Sequence, residues 1–180
     1  MSLKKSLFKI SFLTLLLLNY SCVKDVDLNQ YEEIVLTPEA ALDLIFFSIE
    51  NDDFSSTSGG EATARDETRL DFLDDDYIQN NLVRADFNFR FTNTFQNELT
   101  ATIRLLSPSN SVQHSIVIPI PASTGGSPAN VDYTETISGT QITRVRRSIK
   151  LSVEISSPDP IANEGTLQLE SKGFYYFKFE

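Results

Sequence analysis

From Leu82 to the end of the chain, apolar and polar residues alternate in short runs. Phe87, Phe89 and Phe91 are separated by Asn88 and Arg90, and Ala101, Ile103 and Leu105 by Thr102 and Arg104. Ile116, Ile118 and Ile120 continue the pattern, and Ile149, Leu151, Val153 and Ile155 are separated by Lys150, Ser152 and Glu154. A period of two puts alternate side chains on opposite faces of an extended chain, so each run predicts a half-buried strand. Pro119 and Pro121 place the third run at a sheet edge, where a missing N–H is tolerated. Leu167 and Leu169 predict a short strand, and Tyr175, Phe177 and Phe179 a last one, with Ser171-Lys172-Gly173 as a turn signal between them. Further turn signals stand at Thr94–Asn97, Ser107–Asn110, Ser123–Asn130, Ser138-Gly139 and Ser156–Gly165. Short strands at such intervals predict an all-β fold, a single antiparallel β-sandwich that is immunoglobulin-like in a loose sense.

The chain before Leu82 has a weaker pattern. Ile34–Pro38 predicts an edge strand stopped by proline. Glu39–Ile49 fits a short helix with Thr37 as cap and Pro38 at its first position, or a strand. The β-formers Ile45-Phe46-Phe47 favour a strand buried on both faces, with Leu42, Leu44 and Phe46 opposite Ile45 and Phe47. Asn51–Thr68, rich in Ser, Gly and acids, predicts a mobile loop. Arg69–Leu73 predicts a short strand, and Asp74–Leu82 one or two helical turns with Asp residues at the N-terminus.

Residues 1–21 follow a different rule. Lys4, Lys5 and Lys9 precede or open an apolar run, Ile10–Leu18, that is too short for the about 20 residues a spanning helix needs. The run ends at Asn19-Tyr20-Ser21-Cys22, so the single Cys of the chain directly follows a small residue. This constellation resembles a bacterial lipoprotein signal with a relaxed Bacteroidota-type lipobox, Asn19-Tyr20 departing from the stricter Leu-Ala/Ser pattern. The resemblance implies cleavage between Ser21 and Cys22, lipidation of the Cys22 thiol, and a protein anchored to the membrane rather than spanning it. The organisation expected is a signal peptide over 1–21, a lipidated tether over 22–33 and a β-sandwich domain over 34–180. Lys24-Asp25 also resembles, faintly, the short Lys/acid stretch that directs Bacteroidota lipoproteins to the outer leaflet, which favours display at the cell surface over the periplasmic face of the outer membrane. The stretches 34–47, 72–92 and 167–179 are similar to small uncharacterised lipoproteins of flavobacteria. That likeness implies a compartment and no activity.

Charge then becomes informative. The chain carries 25 acids and 15 bases, a net of −10. Residues 1–21 hold three of the lysines and no acid, so 25 acids against 12 bases remain, a net of −13. Between Cys22 and Asn81, 16 acids face only Lys24, Arg65 and Arg69, whereas Leu82–Glu180 balances 9 acids with 9 bases. The acidic third disfavours nucleic acid and other anionic partners. One Cys and one His exclude a disulfide framework, Cys-rich metal sites and His-pair sites.

The candidate chemistry is sparse. Asp71, Asp74, Asp75 and Asp76 offer oxygen ligands for Ca²⁺, but consecutive Asp side chains diverge, and capping with solvation is the expected role. His114 shares the inward parity of Ile116 and Ile118 and lacks a serine or cysteine on its own face, so a rim histidine is expected, with no catalytic set. Arg144 and Arg146 would project together from a strand toward a carboxylate-bearing partner or the chain's own acids. Phe174 and Tyr176 would lie on the outer face of the last strand, available to a partner or a sugar ring. The function expected is a non-catalytic, lipid-anchored envelope protein without a cofactor, docking on an outer-membrane protein as an accessory subunit. A surface module for glycan or Ca²⁺ is the alternative.

Overall fold

The computed structural model describes residues 37–56, 60–161 and 164–179. The signal peptide, Ser21, Cys22, the tether and all but Thr37 and Pro38 of the edge strand expected over Ile34–Pro38 lie outside the described residues, and those two residues are not in a strand. Within them, the alternating runs become strands: β1 Glu39–Glu50, β2 Ser55–Ser56, β3 Ala62–Arg69, β4 Leu82–Asn93, β5 Leu99–Leu106, β6 Val112–Ile120, β7 Ala129–Ser138, β8 Lys150–Ser157 and β9 Thr166–Phe177. Two short helices, α1 Asp76–Asn81 and α2 Ile142–Arg146, sit in the connections.

All pairings are antiparallel, and they nest. β5 pairs with β6, β4 with β7, β3 with β8 and β1 with β9. The chain is thus one long ribbon folded at the β5–β6 turn, then rolled so that successive pairs fall alternately in two sheets. The sheets have the orders β1-β9-β4-β7 and β2-β3-β8-β5-β6. This is the connectivity of a jelly roll. The single antiparallel sandwich expected from the alternation is present, and its loose immunoglobulin likeness narrows to that topology.

The core lies between the sheets and follows the predicted parity. Phe87, Phe89 and Phe91 from β4 meet Ala101, Ile103 and Leu105 from β5 and Leu151, Val153 and Ile155 from β8, all at most 1% exposed. Burial of this apolar surface is the main stabilising term. Where the polar interior needs it, hydrogen bonds close the account: the buried Asn93 donates to the carbonyls of Asn97 and Pro121 and accepts from the Phe95 N–H.

Four local expectations are corrected. Ser171-Lys172-Gly173 is no turn: β9 runs straight through it for 12 residues, because Ser171 and Gly173 occupy inward positions on the strand. Gly173 is there for space, since a Cβ would stand 2.8 Å from the Tyr175 hydroxyl oxygen. The loop expected over Asn51–Thr68 contains β2 and most of β3, whose inward residues are the small Ala62 and Ala64. Arg69 ends β3 and Asp71–Asp74 forms a 3-10 turn instead of a strand. Arg144 and Arg146 lie on helix α2, not on a strand, because Ile142 and Val145, three apart, are the pair buried against the sandwich. β7 carried no strand expectation. Its inward series Val131, Tyr133, Glu135 and Ile137 is interrupted by a carboxylate.

Candidate functional site

β1 is an edge strand with one defect that reshapes the outer face of its sheet. Asp43 pairs with Lys172 and Phe46 with Glu170, so three residue steps on β1 match two on β9. That extra residue is a β-bulge, and it reverses which side chains point inward. Before it, Ala40, Leu42 and Leu44 face the core side; after it Ile45, Phe47 and Ile49 do. Phe46, expected inside with Leu42 and Leu44, is turned outward and is 69% exposed. The bulge is clamped by a side chain from the core. The buried Ser171 hydroxyl accepts from the Ile45 N–H at 3.0 Å and donates to the Ile45 carbonyl at 2.7 Å. Both backbone groups freed by the bulge are thereby satisfied.

Across this outer face the four strands form rows. The cross-strand partners are Glu39–Tyr176–Arg84–Ser138, Ala41–Phe174–Asp86–Thr136, Asp43–Lys172–Asn88–Thr134 and Phe46–Glu170–Arg90–Asp132. Within these rows Asp43, Phe46, Asp86, Asn88, Arg90 and Lys172, among others, line an open trough of about 850 Å³, with Phe46 toward one end and Phe174 and Tyr176 toward the other. Phe46 stands two rows from Phe174, roughly 14 Å along the strand direction.

The polar groups between the rings are held in place. Arg84 grips the Asp86 carboxylate with two hydrogen bonds, 2.9 and 2.7 Å, and its guanidinium lies 4.9 Å from the Tyr176 ring centre. Burial pushes the Asp86 carboxyl up. Hydrogen bonds from Arg84 and Thr136, the Arg84 charge and the Tyr176 hydroxyl more than offset this and hold it below the usual carboxylate range. The Tyr176 hydroxyl is raised, by burial first and by the Asp86 charge second. Asn88 donates to Asp132 at 2.6 Å and to Thr134 at 3.0 Å, and Arg90 donates to Asp132 at 3.0 Å. Lys172 lies 3.5 Å from Asp43. A ligand would meet donors and acceptors already oriented by rigid strands.

Of the residues singled out from sequence, Phe174 and Tyr176 belong to this trough. Arg144 and Arg146 do not. Arg146 donates twice to the Leu82 carbonyl, at 2.9 and 2.6 Å, and so satisfies the irregular start of β4. Asp71 and Asp74 both bind Arg69, with Asp71 at 2.7 Å; Asp75 caps α1 by accepting from the Ile78 N–H, and Asp76 sits in its first turn. Among the described residues no group of three or more His, Cys, Asp or Glu side chains is placed to hold a metal ion. His114 is a rim residue. Its Nε2 lies 2.8 Å from Glu135 on β7, whose other oxygen accepts from the Tyr133 hydroxyl at 2.7 Å. This polar seam ties the two sheets together where β6 and β7 both form sheet edges.

Phe46, Asp86, Asn88 and Arg90 were not singled out. The β4 residues share the outward parity of Asn88 and Arg90, visible in the sequence but common to any half-buried strand. Phe46 left one trace: three consecutive large apolar residues on an edge strand cannot all point inward.

No protein-family model matches the chain, and no curated protein matches it. Among solved structures, it is similar to the VP2 subviral particle of infectious bursal disease virus, with 10% identity and a TM-score of 0.47 over 78% of this chain and 32% of that one. The Gx strain of the same virus gives 16% identity and a TM-score of 0.46 over 80% and 32%. The enzymatically active domain of tailspike protein 4 from bacteriophage CBA120 gives 13% identity and a TM-score of 0.41 over 84% and 20%. The chain thus spans about a third or less of each of these, and at such identities none of them transfers an activity or an assembly to it.

Proposed function

We propose that this chain is a non-catalytic, lipid-anchored binding module of the bacterial outer membrane, tethered through Cys22 and working through the outer face of its β1-β9-β4-β7 sheet. The observation that carries the reading is Phe46. An exposed phenylalanine forgoes about 1.5–3 kcal/mol of burial, and here a bulge with its own buried serine clamp turns the ring into a trough whose other end carries two further aromatics. Large exposed apolar groups gathered in a concavity and flanked by oriented polar groups mark interaction surfaces. The anchor rests on the resemblance of residues 1–22 to a lipoprotein signal. The non-catalytic character is supported by the side chains that acid–base chemistry would need. The Asp86 carboxylate is neutralised by Arg84.

Two measurements test the two halves. Cys22→Ala should move the protein from the membrane fraction to the soluble fraction; retention in the membrane removes the anchor. The chain should bind saturably to envelopes prepared from cells deleted for it, and Phe46→Ala with Tyr176→Ala should weaken that binding tenfold or more. Equal binding by wild type and double variant removes the surface.

A further inference from the structure

We infer that the trough binds a neutral oligosaccharide, with sugar rings stacked on Phe46 at one end and on Phe174 and Tyr176 at the other. The inference rests on the reading of this face as a binding surface and adds the class of ligand. Three features of the trough select it.

The first is charge. Arg84 pairs with Asp86, Arg90 with Asp132 and Lys172 with Asp43, and with Glu39 and Glu170 on the same face the acids outnumber the bases five to three, which disfavours an anionic ligand. An anionic polymer would have to displace the carboxylates from their bases, and a cation the reverse.

The second is hydrogen-bonding character. Donors and acceptors alternate along the trough and are already fixed to one another, as in Arg84 with Asp86 and Asn88 with Thr134. A ligand hydroxyl both donates and accepts, so a hydroxyl-rich molecule can bridge such pairs without leaving either partner unsatisfied. An apolar peptide helix laid here would bury the Arg84–Asp86 pair and Lys172 without new partners, which is costly.

The third is spacing. Phe46 and Phe174 are strand-borne and separated by roughly 14 Å, with Tyr176 one row beyond Phe174 and the polar groups between. This suits several linked rings, whose C–H faces lie on the aromatics and whose hydroxyl edges reach the strands between. A monosaccharide would meet only one end.

The test is an array of neutral and charged oligosaccharides probed with the full chain in mild detergent, followed by affinity measurement on the neutral hits. The expected result is binding to at least one neutral oligosaccharide. Phe46→Ala and Tyr176→Ala should each raise its Kd by about tenfold or more with unchanged melting temperatures, and the wild-type Kd should change less than about threefold between low and high salt. Arg84→Lys, which keeps the charge and loses the two-pronged grip on Asp86, should also weaken binding; it gives a second readout if a ring variant melts early. Binding to charged glycans alone, a steep salt dependence, or neutral binding that survives the ring substitutions overturns the assignment. If no glycan binds while envelope binding still depends on Phe46 and Tyr176, the ligand is a protein and only the ligand class falls. If neither binding depends on the rings, the surface falls with it.

Discussion

Gly173 and Tyr175 show how closely the interior of the sheet is fitted. The Tyr175 ring lies over the Gly173 backbone and meets Phe87 edge-on, with ring centres 6.0 Å apart. A methyl group at 173 would stand 2.8–2.9 Å from three atoms of the tyrosine. Gly173→Ala should therefore cost about 1–3 kcal/mol in a urea-unfolding measurement despite the gain in strand propensity; a neutral or stabilising result would show that the ring has room to shift. The Tyr175 hydroxyl gives a pH signature. Burial raises it far above its ordinary value near 10. The folded state keeps the proton that the unfolded state releases, so this contribution to stability is complete below about pH 10 and is lost as pH rises beyond it. The denaturation midpoint should fall progressively as pH rises from about 10 to about 12, and Tyr175→Phe should flatten that fall. An equal slope in the two proteins would assign the alkaline loss elsewhere.

At the scale of the element, β1 and β9 depend on each other. The bulge in β1 leaves the Ile45 N–H and carbonyl without ladder partners, and the Ser171 hydroxyl replaces them. Ser171→Ala removes both bonds from a buried site and should cost about 1–3 kcal/mol. Because the bulge sets the aim of Phe46, that variant should also weaken ligand or envelope binding, whereas Gly173→Ala should leave binding intact at temperatures where it is folded. Equal binding losses in both variants would mean that general loosening, not the bulge, is being read. The same elements mark the limits of what the sequence makes legible. β4, β5, β6 and β8 were readable because their inward residues are predominantly apolar and most of them large, so parity alone locates them. β7 was not, since Glu135 occupies an inward position and is held there by Tyr133 and by His114 from the other sheet. β3 hid behind two alanines, and β9 looked divided because Ser171 and Gly173, both turn formers in sequence, serve a hydrogen bond with the distant Ile45 and a close contact with the Tyr175 ring. α2 reads as a strand from its β-branched residues and becomes helical because packing buries Ile142 and Val145 together. Phe174 and Tyr176 were legible from outward parity. The trough they share with Phe46 was not, because it depends on a bulge, and no local signal encodes which strand absorbs an extra residue.

For the whole molecule, the nested ribbon explains why the trough falls on one face. Rolling the chain into a jelly roll brings β1 and β9, distant in sequence, beside β4, so the trough collects residues from positions 43 to 176 on one rigid sheet. The outer face of the other sheet supplies an internal comparison. Val117 on β6 is 62% exposed, nearly as much as Phe46, but it stands outside the trough. The central claim is that the face carrying Phe46 is where the molecule meets its ligand, and photocrosslinking in the cells that make it addresses this directly. Phe46 is replaced in one strain by p-benzoylphenylalanine, which retains the ring, and Val117 in another. After irradiation, the account predicts a discrete adduct of increased mass at position 46 and none at position 117. Crosslinking at 117 alone, equal crosslinking at both positions, or a protein that stays unmodified at 46 would contradict it.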